Sequence, residues 1–190
     1  YVSRLYQNSI CVSGTHGKTT TTSMITTMLE LAGRDPAAVI GGKLPLIHGY
    51  GKAGTGREIV VEACEFSETF LQLTPAISII LNIDNDHLDY YGTLGKLKFA
   101  FRRFALLTQH TVIANLDDAN TRDVVGGVDR PVRTFAVNNS EADYTAVNIK
   151  MYKPGFYEFD VLEWGDFFAH LRLGIPGRHH IYNALAMCCC

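Results

Sequence analysis

The chain has 190 residues, 47% of them hydrophobic and 19% charged, a balance that excludes a disordered segment and fits one globular domain better than two. Seventeen basic against nineteen acidic side chains leave a formal charge of −2, so no basic footprint for nucleic acid or for an anionic membrane is expected. Apolar runs such as Ala76–Leu81 fall far short of the ~20 residues of a spanning helix, which argues against membrane insertion.

No secretory signal opens the chain. It starts at Tyr1 and closes on Cys188-Cys189-Cys190, so a piece of a longer protein is expected. The cysteines do not form a disulfide framework. Three are adjacent, Cys11 and Cys64 lie in apolar segments, and buried free thiols of a reducing compartment are expected. The C-x-x-C spacing of a metal cluster is absent.

In chain order, Ser9–Ser13 is a short apolar run that predicts a buried strand. Lys18–Ala32 predicts a helix, with Met24, Met28, Leu29 and Leu31 spaced along one face and Gly33 as its stop. Gly41–Gly56 holds six glycines in sixteen residues and is expected to be an irregular loop beside a ligand. Glu58–Val61 predicts a strand, and Phe66–Leu73 a short helix broken at Thr74-Pro75. Ala76–Ile83 is almost wholly apolar and suits a central strand covered on both faces. Leu94–Leu107 carries a helical period. Thr111–Ala114 and Val132–Val137 predict two further strands with a short helix between them. Tyr144–Tyr152, Gly155–Leu162 and Asp166–Leu173 alternate in polarity, as in an antiparallel meander. Arg178 onward is expected to be helical.

The sharpest signal is Gly14-Thr15-His16-Gly17-Lys18-Thr19, between a predicted strand and a predicted helix. Glycines let successive N–H groups point inward at phosphate oxygens, and the helix adds the positive end of its dipole. Lys18 can reach the β- and γ-phosphates, and the Thr19 hydroxyl can ligate Mg²⁺. The spacing G-x-x-G-K-T is shorter than the common G-x-x-x-x-G-K-[ST] loop. Four successive threonines, Thr19–Thr22, are poor helix formers and suggest that hydroxyls are wanted there. The expected fold is α/β: a mostly parallel P-loop sheet flanked by helices, with a small antiparallel β addition near the C-terminal end. In such a sheet ligands bind at the carboxyl ends of strands. Glu62 follows one predicted strand, and Asp84, Asp86, His87 and Asp89 follow another. Carboxylate, imidazole and threonine hydroxyl are plausible ligands for the divalent cations of a triphosphate.

Four segments then occur in one order: Gly14–Thr22, Val61-Glu62-Ala63-Cys64-Glu65, Asn82-Ile83-Asp84-Asn85-Asp86-His87-Leu88-Asp89, and Pro176–Ala186. From about Ser9 to its end the chain resembles the central, ATP-binding domain of the Mur ligase family. The resemblance implies that residues 1–190 are that domain alone, with an N-terminal UDP-binding domain and a C-terminal domain lying outside it. It implies an ATP- and Mg²⁺-dependent amide ligase of the bacterial cytoplasm. The member it resembles most joins L-alanine to UDP-N-acetylmuramate through an acyl phosphate, in peptidoglycan precursor synthesis. It also implies roles. Lys18, Glu62 and His87 are catalytic. Gly14, Thr15, His16, Gly17, Lys18, Thr19 and Thr20 hold the nucleotide phosphates, while His180 and Asn183 face the adenine. Thr19, Glu62 and His87 hold metal, and Gly41-Gly42 resembles a loop approaching the UDP-sugar.

Two positions depart from the family. His180 stands where the family usually has Asn, which removes a bidentate amide from the adenine site. Phe101 stands at the ungapped position of a lysine that is carbamylated in relatives adding later amino acids, with Lys98 one turn away; this absence, like His16 in the loop, favours the alanine-adding type. A ligase that attaches a whole murein tripeptide to the same sugar shares both traits. A P-loop module without ligase chemistry is a further alternative, against which the pair Glu62 and His87 argues.

Overall fold

The computed structural model describes residues 2–190. In chain order the elements are β1 (Asn8–Ser13), α1 (Lys18–Leu31), β2 (Ala37–Leu44), β3 (Gly49–Lys52), β4 (Glu58–Glu62), β5 (Ile77–Ile80), α2 (Leu88–Tyr91) and α3 (Leu94–Leu107). There follow β6 (Thr111–Asn115), α4 (Ala119–Val125), β7 (Val132–Ala136), β8 (Tyr144–Lys153), β9 (Phe156–Glu163), β10 (Asp166–Arg172) and α5 (His180–Cys188). All ten strands join one sheet in the order β10-β9-β8-β7-β6-β5-β1-β4-β2-β3. Pairings from β2 through to β8 are parallel, and those of β2 with β3, β8 with β9 and β9 with β10 are antiparallel. The expected α/β sheet is therefore present, and the meander extends it as one continuous surface.

The strand order fixes where a ligand can enter. From β1 the chain builds β2, β3 and β4 on one side, then crosses to β5 on the other. β1 is thus the point where the winding reverses, and an open sheet leaves a crevice outside the carboxyl ends of the strands at such a point.

Alternation along the strands sorts side chains into two layers. Ile10, Val12, Val60, Ile79 and Ile113 face one layer with Ile25 of α1 and Ile181, Ala184 and Leu185 of α5. Cys11, Ile59, Val61, Ile80 and Val112 face the other with Leu97, Phe101 and Phe104 of α3 and Val124 of α4. A period of two in fully buried strands produces this two-sided pattern. Thr93 and Asp118 cap α3 and α4, accepting from the N–H groups of Lys96 (3.3 Å) and Thr121 (2.7 Å).

Several expectations need correcting. Gly41–Gly56 is no irregular loop: it supplies the end of β2, a 3₁₀ turn at Pro45–Ile47 and the edge strand β3. Glycine-rich composition hid a hairpin whose backbones approach closely, since a Cβ on Gly51 would lie 2.7 Å from the Ala38 carbonyl. The face of α1 turned to the core is Thr21, Thr22, Ile25 and Thr26; Met24, Met28 and Leu29 are half-buried and Leu31 is exposed. Phe66–Gln72 forms 3₁₀ turns across a kink at Ser67 and Glu68, not a regular helix. The last helix starts at His180. All five cysteines are free thiols, yet only Cys11 and Cys189 are buried, while Cys64 and Cys190 are exposed. Burial pushes the Cys11 thiol up to about 12, which makes it unreactive.

Phe104 is fully buried and stacks on Phe70 at 4.8 Å between ring centroids. Phe104→Ala is expected to lower stability by about 3–5 kcal/mol, read from urea unfolding. A loss under about 1 kcal/mol would show that this layer does not close around the pair.

Candidate functional site

The loop after β1 begins with Gly14 at φ +133° and ends with Gly17 at φ +90°. A Cβ on Gly14 would meet Leu81 at 3.0 Å, and one on Gly17 would meet the Asn183 Oδ1 at 2.5 Å. Both dihedral and space therefore demand glycine. Asn82, just past β5, clamps the loop. Its backbone carbonyl accepts from the Thr15 N–H (3.0 Å), its Oδ1 accepts from the His16 N–H (2.7 Å), and its Nδ2 donates to the His16 carbonyl (3.0 Å). The Thr15 hydroxyl oxygen accepts from the Asp84 N–H at 2.9 Å. The N–H groups of Thr15 and His16 are thus already engaged. The first N–H groups of α1 have no acceptor within the helix, and no side chain caps it. They are the donors open to an anion, reinforced by the dipole.

Lys18 opens α1 and folds back over the loop. Its Nζ donates to the carbonyls of Gly14 (2.6 Å) and Thr15 (3.2 Å) and to Glu65 Oε1 (3.1 Å). The neighbouring Thr19 hydroxyl donates to Glu62 Oε1 at 3.1 Å, and Glu62 Oε2 accepts from the Gly41 N–H at 2.7 Å. A Cβ on Gly41 would come within 2.6 Å of Glu62 Oε1, and one on Gly42 within 2.8 Å of Thr19 Cγ2. The glycine pair of β2 is thus shaped around Thr19 and Glu62.

The expected metal set divides into two groups. Thr19 and Glu62 touch each other. His87, in the left-handed region at φ +53°, lies with Glu65 and Asp86, their ligand atoms within 4.8 Å of one another. The side chain of Glu65 is 1% exposed and its Oε2 has no hydrogen-bond partner. That oxygen sits 3.0 Å from the Lys18 ammonium, charge against charge but off the hydrogen-bond direction. Hydroxyl, carboxylates, imidazole and one unsatisfied buried oxygen form a donor set that fits Mg²⁺ beside polyphosphate oxygens. The sequence assigns Glu65 no role, although it closes the segment Val61–Glu65 three residues after the strand-end Glu62. The clamp made by Asn82, which opens the segment Asn82–Asp89, and the contact of Gly41 with Glu62 are not signalled by the sequence.

α5 closes the other side. Tyr182 donates its hydroxyl to Asp117 (2.9 Å), which also accepts from the N–H groups of Val137 and Asn138 (2.8 Å each). Partial burial opposes ionisation of Asp117, but these backbone and hydroxyl donors outweigh it and hold the carboxyl below its ordinary range. Asn183 is 4% exposed, against Gly17, and its Nδ2 lies 3.0 Å from His180 Nδ1. Burial, and then the neighbouring His179, lower the His180 pKa, which favours the neutral ring. An open groove of about 890 Å³ runs from Thr19 and Thr20 past Met24 and Met28, with His180 and Pro176 on its far side. Phe101 is fully buried at 5.2 Å from Phe70, and Lys98 pairs with Asp123 of α4.

A sheet reversed at β1, a glycine-hinged loop and a lysine at the helix start define a P-loop α/β domain. A profile of the Mur ligase middle domain matches residues 12–190. The chain belongs to the Mur ligase family. It is 46% identical over 182 residues to the UDP-N-acetylmuramate–L-alanine ligase of Pelotomaculum thermopropionicum, covering 95% of this chain and 39% of that protein. The crystal structure of the UDP-N-acetylmuramate–alanine ligase of Thermotoga maritima superposes with a TM-score of 0.84 at 30% identity, covering 99% of this chain and 42% of that one. The UDP-N-acetylmuramate:L-alanyl-γ-D-glutamyl-meso-diaminopimelate ligase of Neisseria meningitidis gives 0.84 at 25% identity, covering 98% and 61%. The chain spans about 40% of the length of the curated relatives it matches. Among the described residues no helix is long and apolar enough to cross a membrane.

Gly41→Ala is expected to break the Thr19–Glu62 contact and to destabilise by about 1–3 kcal/mol through overpacking. A crystal structure and a denaturant titration test this together. An intact 3.1 Å contact in the variant would show that β2 does not position Glu62.

Proposed function

We propose that the chain is the central, ATP-binding domain of an ATP-dependent carboxylate–amine ligase that joins L-alanine to UDP-N-acetylmuramate for peptidoglycan precursors. The domains for the UDP-sugar and for the incoming amino acid lie outside residues 1–190, and the enzyme works in the bacterial cytoplasm. One observation carries the proposal: the Lys18 ammonium is fixed on the Gly14 and Thr15 carbonyls at the carboxyl end of the strand where the sheet reverses. The names of the relatives supply the substrates.

The chemistry follows from weak electrophilicity. A carboxylate does not acylate an amine at neutral pH. Its oxygen attacks the γ-phosphorus of ATP, the bond from that phosphorus to the β-bridging oxygen breaks, and ADP leaves. The amine of L-alanine then attacks the acyl carbon, and phosphate departs with the former carboxylate oxygen. Little covalent work falls to the protein, and positioning with charge neutralisation dominates. The helix N–H groups and Lys18 hold phosphate oxygens. Thr19 and Glu62, with His87 beside Asp86, are the groups that would hold Mg²⁺, which when bound neutralises charge on the phosphoryl group being transferred. The groove along Thr20, Met24 and His180 suits a nucleoside, with the neutral imidazole offering one hydrogen bond to the base.

The equal TM-score of the Neisseria meningitidis ligase, 0.84 at 25% identity, keeps a peptide-adding reaction as the second reading. Phosphate release by the full-length enzyme with UDP-N-acetylmuramate, compared across L-alanine, glycine, L-serine and the murein tripeptide, separates the two. Lys18→Ala is expected to abolish amide formation with either acceptor. It also strands the buried Glu65, at about 3–5 kcal/mol. Lys18→Ala/Glu65→Ala is therefore expected to regain stability without regaining turnover. Turnover near the wild-type rate in either variant would sink the phosphate-loop assignment.

A further inference from the structure

The ligase reading leaves the pairing of one buried carboxylate with the loop's lysine unexplained. Glu65 belongs neither to the phosphate loop nor to the Thr19–Glu62 pair, yet it is the counter-charge of the loop's lysine. Gly14, Thr15 and Glu65 together take the hydrogens of the Lys18 ammonium. The lysine side chain is 14% exposed and the glutamate 1%, so the ion pair is shielded from water and from salt. On its other side Glu65 Oε1 lies 3.9 Å from His87 Nε2, and its carboxylate shares the cluster with Asp86.

A triphosphate entering this site meets a lysine that is already neutralised. To bind Lys18, its oxygens must displace Glu65, and the carboxylate is then left buried beside further negative charge. An unpaired buried charge is strongly unfavourable. A cation that takes over the Glu65 oxygens removes the conflict. We propose that Glu65 is a positioning residue that holds Lys18 while no nucleotide is bound and makes nucleotide binding conditional on a divalent cation. This rests on the phosphate-loop assignment above and adds to it a residue that discriminates metal-bound from metal-free nucleotide.

The test is equilibrium binding of ATP to the full-length protein by calorimetry, once in EDTA and once with excess Mg²⁺. In Glu65→Gln, metal-free ATP is expected to bind at least tenfold tighter than in the wild type, so that the affinity gained on adding Mg²⁺ falls at least tenfold. Glu62→Gln removes an equal charge that does not touch Lys18, and is the control. If Glu65→Gln folds, as shown by its thermal unfolding, and metal-free ATP binds no tighter, the proposal is overturned. An equal tightening in Glu62→Gln overturns it too, since only net charge would then matter. If Glu65→Gln does not fold, Glu65→Asp keeps the charge but shortens the reach to Lys18. It is expected to tighten metal-free ATP at least threefold, and no tightening again overturns the proposal. Lys18→Ala separates the two levels: unchanged MgATP affinity there means that the phosphate-loop assignment itself has failed.

Discussion

An ammonium and a carboxylate that are both withdrawn from water set the terms for the mouth of this sheet. Lys18 cannot turn inward over the Gly14 and Thr15 carbonyls without a counter-charge, and Glu65 supplies it at 3.0 Å. Delivering Glu65 there requires the chain after β4 to double back at once. It does so through 3₁₀ turns in which Ser67 and Glu68 take left-handed φ of 52° and 55°, a conformation that non-glycine residues adopt at some cost. The Tyr91 hydroxyl donates to the Glu65 carbonyl and ties the turn to α2, which His87 precedes. The irregular segments on this side of the sheet thus converge on one ion pair.

The second constraint is close approach. β1, β2 and α5 converge on the start of α1, and at each meeting a side chain is omitted. Gly17 makes room for Asn183, Gly41 for Glu62 and Gly42 for Thr19. The same crowding explains the threonines of α1. Thr21, Thr22 and Thr26 are buried, and the hydroxyls of Thr22 and Thr26 donate to carbonyls one turn back at 2.8 Å each. Short side chains, two of them hydrogen-bonded to their own helix, let it seat deep in the sheet. Their low helix propensity is offset by tertiary packing.

The parallel strands were legible because fully buried strands must be apolar on both faces, and the phosphate loop because its backbone demands glycine at fixed spacing. The meander was legible from alternation at period two. What escaped were features set by distant partners. β2 and β3 read as a loop because glycines required by close contact look the same as glycines required by flexibility. The methionines of α1 mark one helix face by their spacing, but periodicity does not distinguish a face turned to the sheet from one lining an open groove. Two of the threonines taken as functional hydroxyls, Thr21 and Thr22, serve packing. Glu65 was missed because nothing local says that an acidic residue beyond a strand end turns inward; only the three-dimensional neighbour Lys18 does.

The near-neutral composition suits a site for a polyanion once the donors are counted by type. The groups offered to phosphate are chiefly backbone N–H groups at a helix start, which attract an anion without adding net charge. The one loop cation is already paired with Glu65, which takes its charge out of any field that would gather anions from a distance. Recognition then depends on local geometry: glycines that bring the backbone close, Asn82 fixing the loop, and carboxylates that accept a cation together with its phosphate. A basic surface would favour any polyanion. This arrangement favours one of the right shape that arrives with its counter-ion.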